Sequence, residues 1–302
     1  MRACTIRVLS ILPLVPGLQA CKRDAPPSAA QVLARKLELP TNASRHETPH
    51  YLIWSSATES QAQDVGVATE ALRDAYVRMF PPVRPEPGKL ILVLYRDRAE
   101  FESHNRSSPW AEAYYLSPAS HAYVATSSAN PYHWMLHEAT HQLMHEISGF
   151  RPPRWVGEGF ASYLGASKLT PHGLDAGNPD PNAYPVWWLH RHPMSGNRLR
   201  DAASGQFVPL RALLTGKGGP DVDRYFNSYY LCAWSLTEFL LQGNDRRYAD
   251  GYLRFIAKGG GERGFEEMVG PIDRIEVAWY EDLLRRTREL DAIVVAPDEQ
   301  GA

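Results

Sequence analysis

The chain has 302 residues, of which 32 are Lys or Arg and 34 are Asp or Glu, so its formal net charge is −2. This length suits one elaborate domain or two small ones, and a content of 22% charged and 44% hydrophobic residues excludes a mostly disordered or fibrous chain. The near-neutral balance argues against broad nucleic-acid binding, which needs an excess of basic side chains.

Residues 1–20 have the pattern of a secretory signal peptide. Arg2 and Arg7 precede the apolar run Val8–Leu18, which prolines interrupt and which is too short to cross a bilayer of about 30 Å. The segment LQAC, which ends at Cys21, resembles a bacterial lipobox with a lipid placed on the cysteine sulfur. The alternatives are a signal cleaved without lipidation and a short N-terminal core segment. We expect an exported protein of the cell envelope, either periplasmic or lipid-anchored to the membrane at Cys21.

The next part of the chain is expected to be α/β. Residues 21–48 are predicted to be a flexible tether, because they begin with a polar stretch rich in Pro and Ala, and the α/β part follows at 49–130. Apolar spacing predicts strands at 51–56, 89–95, 113–116 and 122–126, and helices at 60–80 and 98–104. The continuous apolar run 89–95 is typical of a central buried strand.

From 131 to 292 the pattern becomes helical. Helices are predicted at 131–148, 155–167, 207–215, 225–242, 246–257 and 272–291. The stretch 170–185 has many breakers and no periodicity, so it is expected to be a flexible surface loop or, alternatively, a lid or cleft wall. Residues 293–302 form a tail. The predicted fold is therefore α+β, with a small N-terminal α/β sheet region packed on the helix that begins near 131, followed by a mainly helical part.

One motif with metal-ligand spacing lies in the first of these helices. The segment HEATH, residues 137–141, has the form H-E-x-x-H. Residues four apart on an α-helix differ by about 40° in rotation and about 6 Å in rise, so His137 and His141 project from one face and can share a zinc ion. Glu138 lies close enough to reach a metal-activated water without binding the metal. The alternative is a helix with two ordinary surface histidines.

Glu158 is a candidate third ligand. It follows His141 after 16 intervening residues, and the break supplied by Gly149 and the prolines Pro152 and Pro153 allows a helical hairpin. A carboxylate on the second, antiparallel helix can then approach the metal from the side. Taken alone, this residue is as well explained as a solvated acid near a helix start, stabilised by the helix dipole.

The sequence HEATHQ followed by RWVGEGFASYL resembles the gluzincin zinc metallopeptidases. It is more similar still to small exported bacterial proteins of that clan, whose signature is H-E-x-x-H-Q and then W-x-x-E-G-x-A. The resemblance is tight over about residues 133–165 and looser over 225–241. It implies that His137, His141 and Glu158 bind Zn²⁺ and that Glu138 is the catalytic base.

The resemblance also implies a donor for the reaction's oxyanion and a strand for the substrate. A tyrosine or histidine from the downstream helical part commonly supplies that donor in this clan, and Tyr230 is the first candidate here and Tyr229 the second. The alternative for both is an aromatic core stripe. An extended peptide is expected to pair with an edge strand beside the active helix, and 121–127 is the predicted edge strand. His190 and His192 are expected either to contact substrate or to form an exposed loop pair.

The leading hypothesis is a zinc-dependent metallopeptidase that hydrolyses peptide bonds through a metal-activated water, with a peptide or protein as substrate. The aminopeptidase signature G-x-M-E-N is absent from the sequence, which favours an endopeptidase over an exopeptidase. Two alternatives stay open: a non-catalytic envelope lipoprotein that keeps the fold for binding, and a zinc hydrolase of a non-peptide bond. No nucleic-acid partner is expected, and contact with a membrane is expected only through a lipid on Cys21.

Overall fold

The computed structural model describes residues 36–37, 39–82, 88–126, 130–221, 224–259 and 261–295. The predicted signal peptide, the lipobox cysteine and most of the tail lie outside the described residues. Among the described residues, no helix is both long enough and apolar enough to cross a membrane.

A five-stranded mixed sheet forms the N-terminal part of the described chain. Its strands are β1 (Ser44–Glu47), β2 (Tyr51–Ser55), β3 (Leu90–Tyr95), β4 (Ala113–Leu116) and β5 (Ala119–Tyr123). Their order in the sheet is β1-β2-β3-β5-β4. The three inner strands are parallel, and β1 and β4 pair antiparallel at the two edges. The central position of β3, in which five of six residues are buried, confirms the prediction from its apolar run.

Two predictions about these strands were wrong. The predicted edge strand 121–127 corresponds to β5, which lies between β3 and β4 and is not an edge. It begins at Ala119, three residues before the predicted start at 122, and the edge on this side is β4. Local apolar alternation shows where a strand lies but not which neighbours pair with it, because strand order depends on contacts distant in sequence. At the opposite edge, β1 lies within the segment predicted to be a tether.

Helices cover both faces of the sheet. Helix α1 (Glu59–Met79) begins at a capping box, in which the Thr58 side chain accepts from the Gln61 N–H and the Gln61 side chain accepts from the Thr58 N–H. Apolar side chains of α1 and of α3 (His133–Gln142) share one core with the sheet. On the other face, α2 (Arg98–His104) places Phe101 against Val93 and other sheet residues in a smaller core.

The rest of the described chain is mainly helical, as predicted. After α3 come a π-helical turn (Leu143–Ile147), α4 (Arg154–Gly165), a 3-10 helix (Val186–Arg191), α5 (Arg198–Ala203), α6 (Leu210–Thr215), α7 (Phe226–Arg246), α8 (Ala249–Lys258), α9 (Glu262–Met268) and α10 (Ile272–Val295). Helix α7 has non-helical dihedral angles at 243–245, so its regular part ends where the sequence predicts, near 242. Short helices α5 and α9 were not predicted.

The segment 170–185, predicted to lack regular structure, is partly a β-hairpin. Strand β6 (Ser167–Thr170) pairs antiparallel with β7 (Gly173–Pro179). The hairpin has a register shift between Ser167 and Lys168 and positive φ angles at Gly173 and Gly177. Such irregularities interrupt the alternation of apolar and polar residues that identifies a strand in a sequence.

Candidate metal centre

Two imidazoles and one carboxylate converge between α3 and α4. The Nε2 atoms of His137 and His141 are 3.3 Å apart. Oε2 of Glu158 lies 3.3 Å from Nε2 of His137 and 3.5 Å from Nε2 of His141. Among the described residues, this is the one group of three or more His, Cys, Asp or Glu side chains whose ligand atoms lie close enough to hold a single metal ion.

The spacing of these three atoms fits a small tetrahedral cation. Zinc binds His nitrogen and carboxylate oxygen at about 2.0–2.2 Å, so two ligands of a tetrahedral ion lie about 3.3–3.5 Å apart. All three edges of the triangle formed by His137, His141 and Glu158 (hereafter the triad) have this length. The donor set, two imidazoles and one carboxylate, also suits zinc, and three protein ligands leave a fourth coordination position open.

Close packing of α4 on α3 brings the triad together. A Cβ added at Gly165 would lie 3.0 Å from the main chain of His137, whereas one at Gly157 would lie 3.7 Å from the His141 ring. The later residue of α4 therefore lies beside the earlier histidine of α3, so the two helices are antiparallel, as the proposed helical hairpin requires. A side chain at 165 would push the two backbones apart by a few tenths of an ångström, so glycine here favours the close approach.

Gly159, next to Glu158, fixes the distance between α4 and α7. A Cβ there would lie 2.5 Å from both the main-chain oxygen of Ala233 and Oγ1 of Thr237. We expect Gly159→Ala to cost about 2–3 kcal/mol through overpacking, which lowers Tm by about 4–6 °C in a protein of this size. Gly157→Ala is the matched control, because its methyl group meets only ordinary contacts. Thermal unfolding of both variants tests this, and equal Tm values would contradict it.

His141 and Glu158 shift each other's pKa through their opposite charges and their hydrogen bond. Burial alone lowers the pKa of His141, but the hydrogen bond and negative charge of Glu158 outweigh burial and raise it to about 8. Burial alone raises the pKa of Glu158, but hydrogen bonds from both imidazoles hold it well below its usual range. In the metal-free protein, the carboxylate is therefore ionised and His141 is protonated at neutral pH.

Zinc binding should consequently strengthen as the pH rises to about 8. A metal binds the neutral imidazole, so below the raised pKa of His141 each bound ion must displace a proton. We expect the affinity to fall by up to about tenfold per pH unit below 8 and to change less above it. Competition with a chromophoric chelator of known pH dependence, at pH 6.5, 7.5 and 8.5, measures this. An affinity that is flat over the range would contradict the expectation.

Glu138 lies beside the triad without being part of it. Burial raises the pKa of Glu138, and the charge of Glu158 adds to this rise, while the imidazoles and a hydrogen bond from the Tyr115 main-chain N–H act in the opposite direction. The net effect is a raised pKa, as suits a carboxylate that accepts and returns a proton. The hydrogen bond joins Glu138 to the edge strand β4.

A cavity of about 550 Å³ lies over the triad, and we call it the main cleft. One wall is the edge strand β4, and another is formed by residues from Phe150 to Arg154. Because the Tyr115 N–H faces Glu138, alternation along an antiparallel strand directs the main-chain N–H and C=O of Ala113 to the same side. The free edge of the sheet thus faces the main cleft, at β4 and not at the predicted strand 121–127.

Of the two tyrosine candidates, Tyr230 lies in the main cleft. It lines this cavity, and its ring centre is 6.5 Å from that of His137. Burial raises the pKa of Tyr230, so its hydroxyl stays protonated and able to donate. Tyr229 lines a different cavity, and the Arg154 guanidinium lies 5.5 Å from its ring centre.

Arg154 was missed by the sequence reasoning. It lines the main cleft, forms a hydrogen bond with Tyr230, and lies near enough to Glu158 to influence it electrostatically. The signal was present in the sequence, because residue 154 precedes Glu158 by four positions and therefore shares its face of α4. A cation four residues from a carboxylate is so common on helix surfaces that the spacing alone did not single it out.

The other histidines near the motif lie outside the triad. His133 hydrogen-bonds through Nδ1 to the Asn130 main-chain oxygen at 2.6 Å. Nδ1 of His145 is 3.0 Å from the Tyr115 hydroxyl. His190 lies in the 3-10 helix and His192 directly follows it, and neither residue lines the main cleft or belongs to the triad. Nε2 of His192 is 2.6 Å from the Gln206 main-chain oxygen. This pair is therefore not the exposed loop pair that the sequence suggested as an alternative.

Comparison with known proteins assigns neither a family nor a function to the chain. No protein-family model matches the sequence, and no curated protein matches it at a significant level. The likeness to gluzincins rests on two short motifs, around His137 and Glu158. The geometry itself gives a group of three side chains that can hold one metal ion.

Proposed function

We propose that the protein is a zinc-dependent metallopeptidase of the gluzincin type. The observation that carries the proposal is the triangle of ligand atoms, with edges of 3.3, 3.3 and 3.5 Å, at the floor of an open cleft. Glu138, adjacent to this triangle and raised in pKa, supplies the proton acceptor that peptide hydrolysis needs. The H-E-x-x-H and W-x-x-E-G-x-A motifs support the same assignment.

Each side chain of the site then has a role in hydrolysis. His137, His141 and Glu158 would hold the zinc ion, which when bound would supply a Lewis acid for the water and for the scissile carbonyl. Glu138 takes a proton from the attacking water and passes it to the leaving amine. The Tyr230 hydroxyl donates a hydrogen bond to the oxyanion that develops on the carbonyl oxygen. Arg154 orients Tyr230 through their hydrogen bond.

The substrate in this proposal is an extended peptide that adds to the free edge of β4. Main-chain groups of Ala113 pair with the peptide backbone, which explains why a sheet edge borders the main cleft. Among the described residues that line the main cleft, Glu138 and Glu158 are the only acids. Because both have other roles, neither is left to hold a free terminal ammonium, and this favours cleavage within a chain over removal of N-terminal residues.

The proposed location is the bacterial cell envelope. It rests on the sequence of residues 1–20 and on the lipobox that ends at Cys21. Export followed by anchoring through a lipid on Cys21, or by release into the periplasm, would place the enzyme among envelope proteins and peptides.

Metal removal tests the proposed function. The purified protein should contain about one zinc ion per chain and cleave a mixture of unstructured peptides. Treatment with a strong chelator should abolish cleavage, and stoichiometric Zn²⁺ should restore it. Zinc bound without peptide cleavage would instead favour a non-catalytic binding module or a hydrolase of another bond. A protein that binds no zinc would overturn the proposal.

A further inference from the structure

A second cavity, of about 250 Å³, opens beside the triad, and we call it the aromatic pocket. It shares His137, Glu138, Tyr230 and Trp110 with the main cleft, together with two alanines of the segment around β4. Its wall is mainly aromatic and includes Trp110, Trp134, Tyr184, Trp187, Trp188 and Phe226. We propose that this pocket binds a large aromatic side chain of the substrate, next to the bond that is cleaved. This inference rests on the proposed peptidase function.

The aromatic wall is built from separate parts of the fold. Trp110 comes from the loop before β4 and meets Phe226, the first residue of α7, with ring centres 4.7 Å apart in an edge-to-face arrangement. Phe226 in turn packs on Tyr230 at 4.5 Å, and Tyr184 lies 5.7 Å from Tyr230. Contacts between rings fix their positions, so the pocket is preformed, and edge-to-face contacts favour a further ring as guest.

Two polar groups of the wall, the Tyr184 hydroxyl and the Glu112 carboxylate, already have partners. The Tyr184 hydroxyl donates to Oδ1 of Asn227 at 3.3 Å. Glu112 accepts from the Tyr123 hydroxyl at 2.5 Å and forms an ion pair with Arg98 at 2.8 Å. An apolar guest therefore displaces neither interaction, and Glu112, which is already paired with Arg98, offers no free counter-charge to a cationic guest.

No Lys or Arg is among the residues that line the aromatic pocket, and its one histidine, His137, is a metal ligand in the proposed site. An acidic side chain of the substrate would therefore find no lysine or arginine to pair with. Of the two acids in the wall, Glu112 is paired with Arg98 and Glu138 is the group that the proposed reaction uses. The volume of about 250 Å³ is smaller than a typical small-molecule site and matches a single side chain.

The exposed ring of Trp110 indicates how much binding free energy an aromatic side chain of the substrate would gain in the pocket. It lines both cavities, and 56% of its surface is exposed although it is a large hydrophobic side chain. Each square ångström of apolar surface removed from water contributes about 25 cal/mol. An aromatic side chain of the substrate covers more of this ring than an alanine does, so a peptide that carries it should bind more tightly.

A peptide library tests the proposal. The zinc-loaded full chain is incubated with peptides of random sequence, and mass spectrometry maps the cut sites. We expect Phe, Tyr or Trp to be enriched at one fixed position beside the cut, with kcat/KM at least about 30-fold higher for Phe than for Ala in matched peptides. Trp110→Ala should reduce this Phe/Ala ratio about tenfold, and the exposed Leu199→Ala, whose side chain lines neither cavity, should leave it unchanged.

The outcomes separate this inference from the proposed function. Cleavage without aromatic preference, preference for Lys, Arg, Asp or Glu at that position, or a preference that Trp110→Ala does not alter would overturn the aromatic pocket alone. Absence of any cleavage would overturn the peptidase. In that case, tryptophan fluorescence still tests the pocket, because Phe-containing peptides should bind more tightly than Ala-containing ones, and equal binding would overturn it as well.

Discussion

Glu138→Gln should abolish peptide cleavage while zinc stays bound at full stoichiometry. The amide has nearly the same shape as the carboxylate but cannot accept the proton of the attacking water, and general-base catalysis contributes about 10²–10⁴ in rate. We therefore expect kcat to fall by about 10³-fold or more. Zinc binding should persist, because the three converging ligand atoms belong to other residues.

An exposed glutamate provides the matched control for this variant. Glu266→Gln makes the same chemical change on the surface of α9 and should leave kcat and zinc content as in the wild type. Steady-state kinetics with one defined peptide, together with metal analysis of each protein, measures both quantities. A Glu138→Gln enzyme that keeps more than about a tenth of the wild-type kcat would show that another group is the base.

Glu158→Gln is expected to have its largest effect on metal affinity. Zinc binding to sites with several protein ligands is worth about 10–16 kcal/mol in total, so loss of one charged ligand should weaken binding on the order of 10³-fold. The same substitution removes the charge that raises the pKa of His141 to about 8, so this pKa should fall in the metal-free variant. Chelator competition measures the affinity, and NMR titration of the imidazole measures the pKa.

His145→Ala is the control for this second prediction. This histidine follows His141 by four residues and repeats the spacing of the motif, yet it lies outside the triad. We expect its replacement to leave zinc affinity within a few-fold of the wild type. Equal losses in Glu158→Gln and His145→Ala would contradict the assignment of the third ligand.

The sequence predicted the parts of the fold that depend on local patterns. Helical periodicity located α1 and the regular part of α7, and the apolar run 89–95 located the central strand. The sequence also predicted the two candidate histidine ligands, because the four-residue spacing of His137 and His141 determines their common face on a helix.

Local sequence patterns could not predict contacts between segments that are far apart in the chain. The edge position of β4, and not of β5, depends on strand order. The aromatic pocket combines Trp110, Tyr184 and Phe226 from three separate segments, and each of them alone is typical of an ordinary core residue. The contact of Arg154 with Tyr230 likewise needs α4 and α7 to be packed before it exists.

Tyr115 joins the edge strand β4, where the proposed substrate would pair, to Glu138, the proposed base, and to Glu146. Its main-chain N–H donates to Glu138, and its hydroxyl donates to Glu146 at 2.5 Å in the π-helical turn. A peptide that docks on β4 and shifts the strand must therefore also shift the carboxylate. In the proposed function, a poorly fitting peptide on β4 would therefore misalign the carboxylate that accepts the proton of the attacking water.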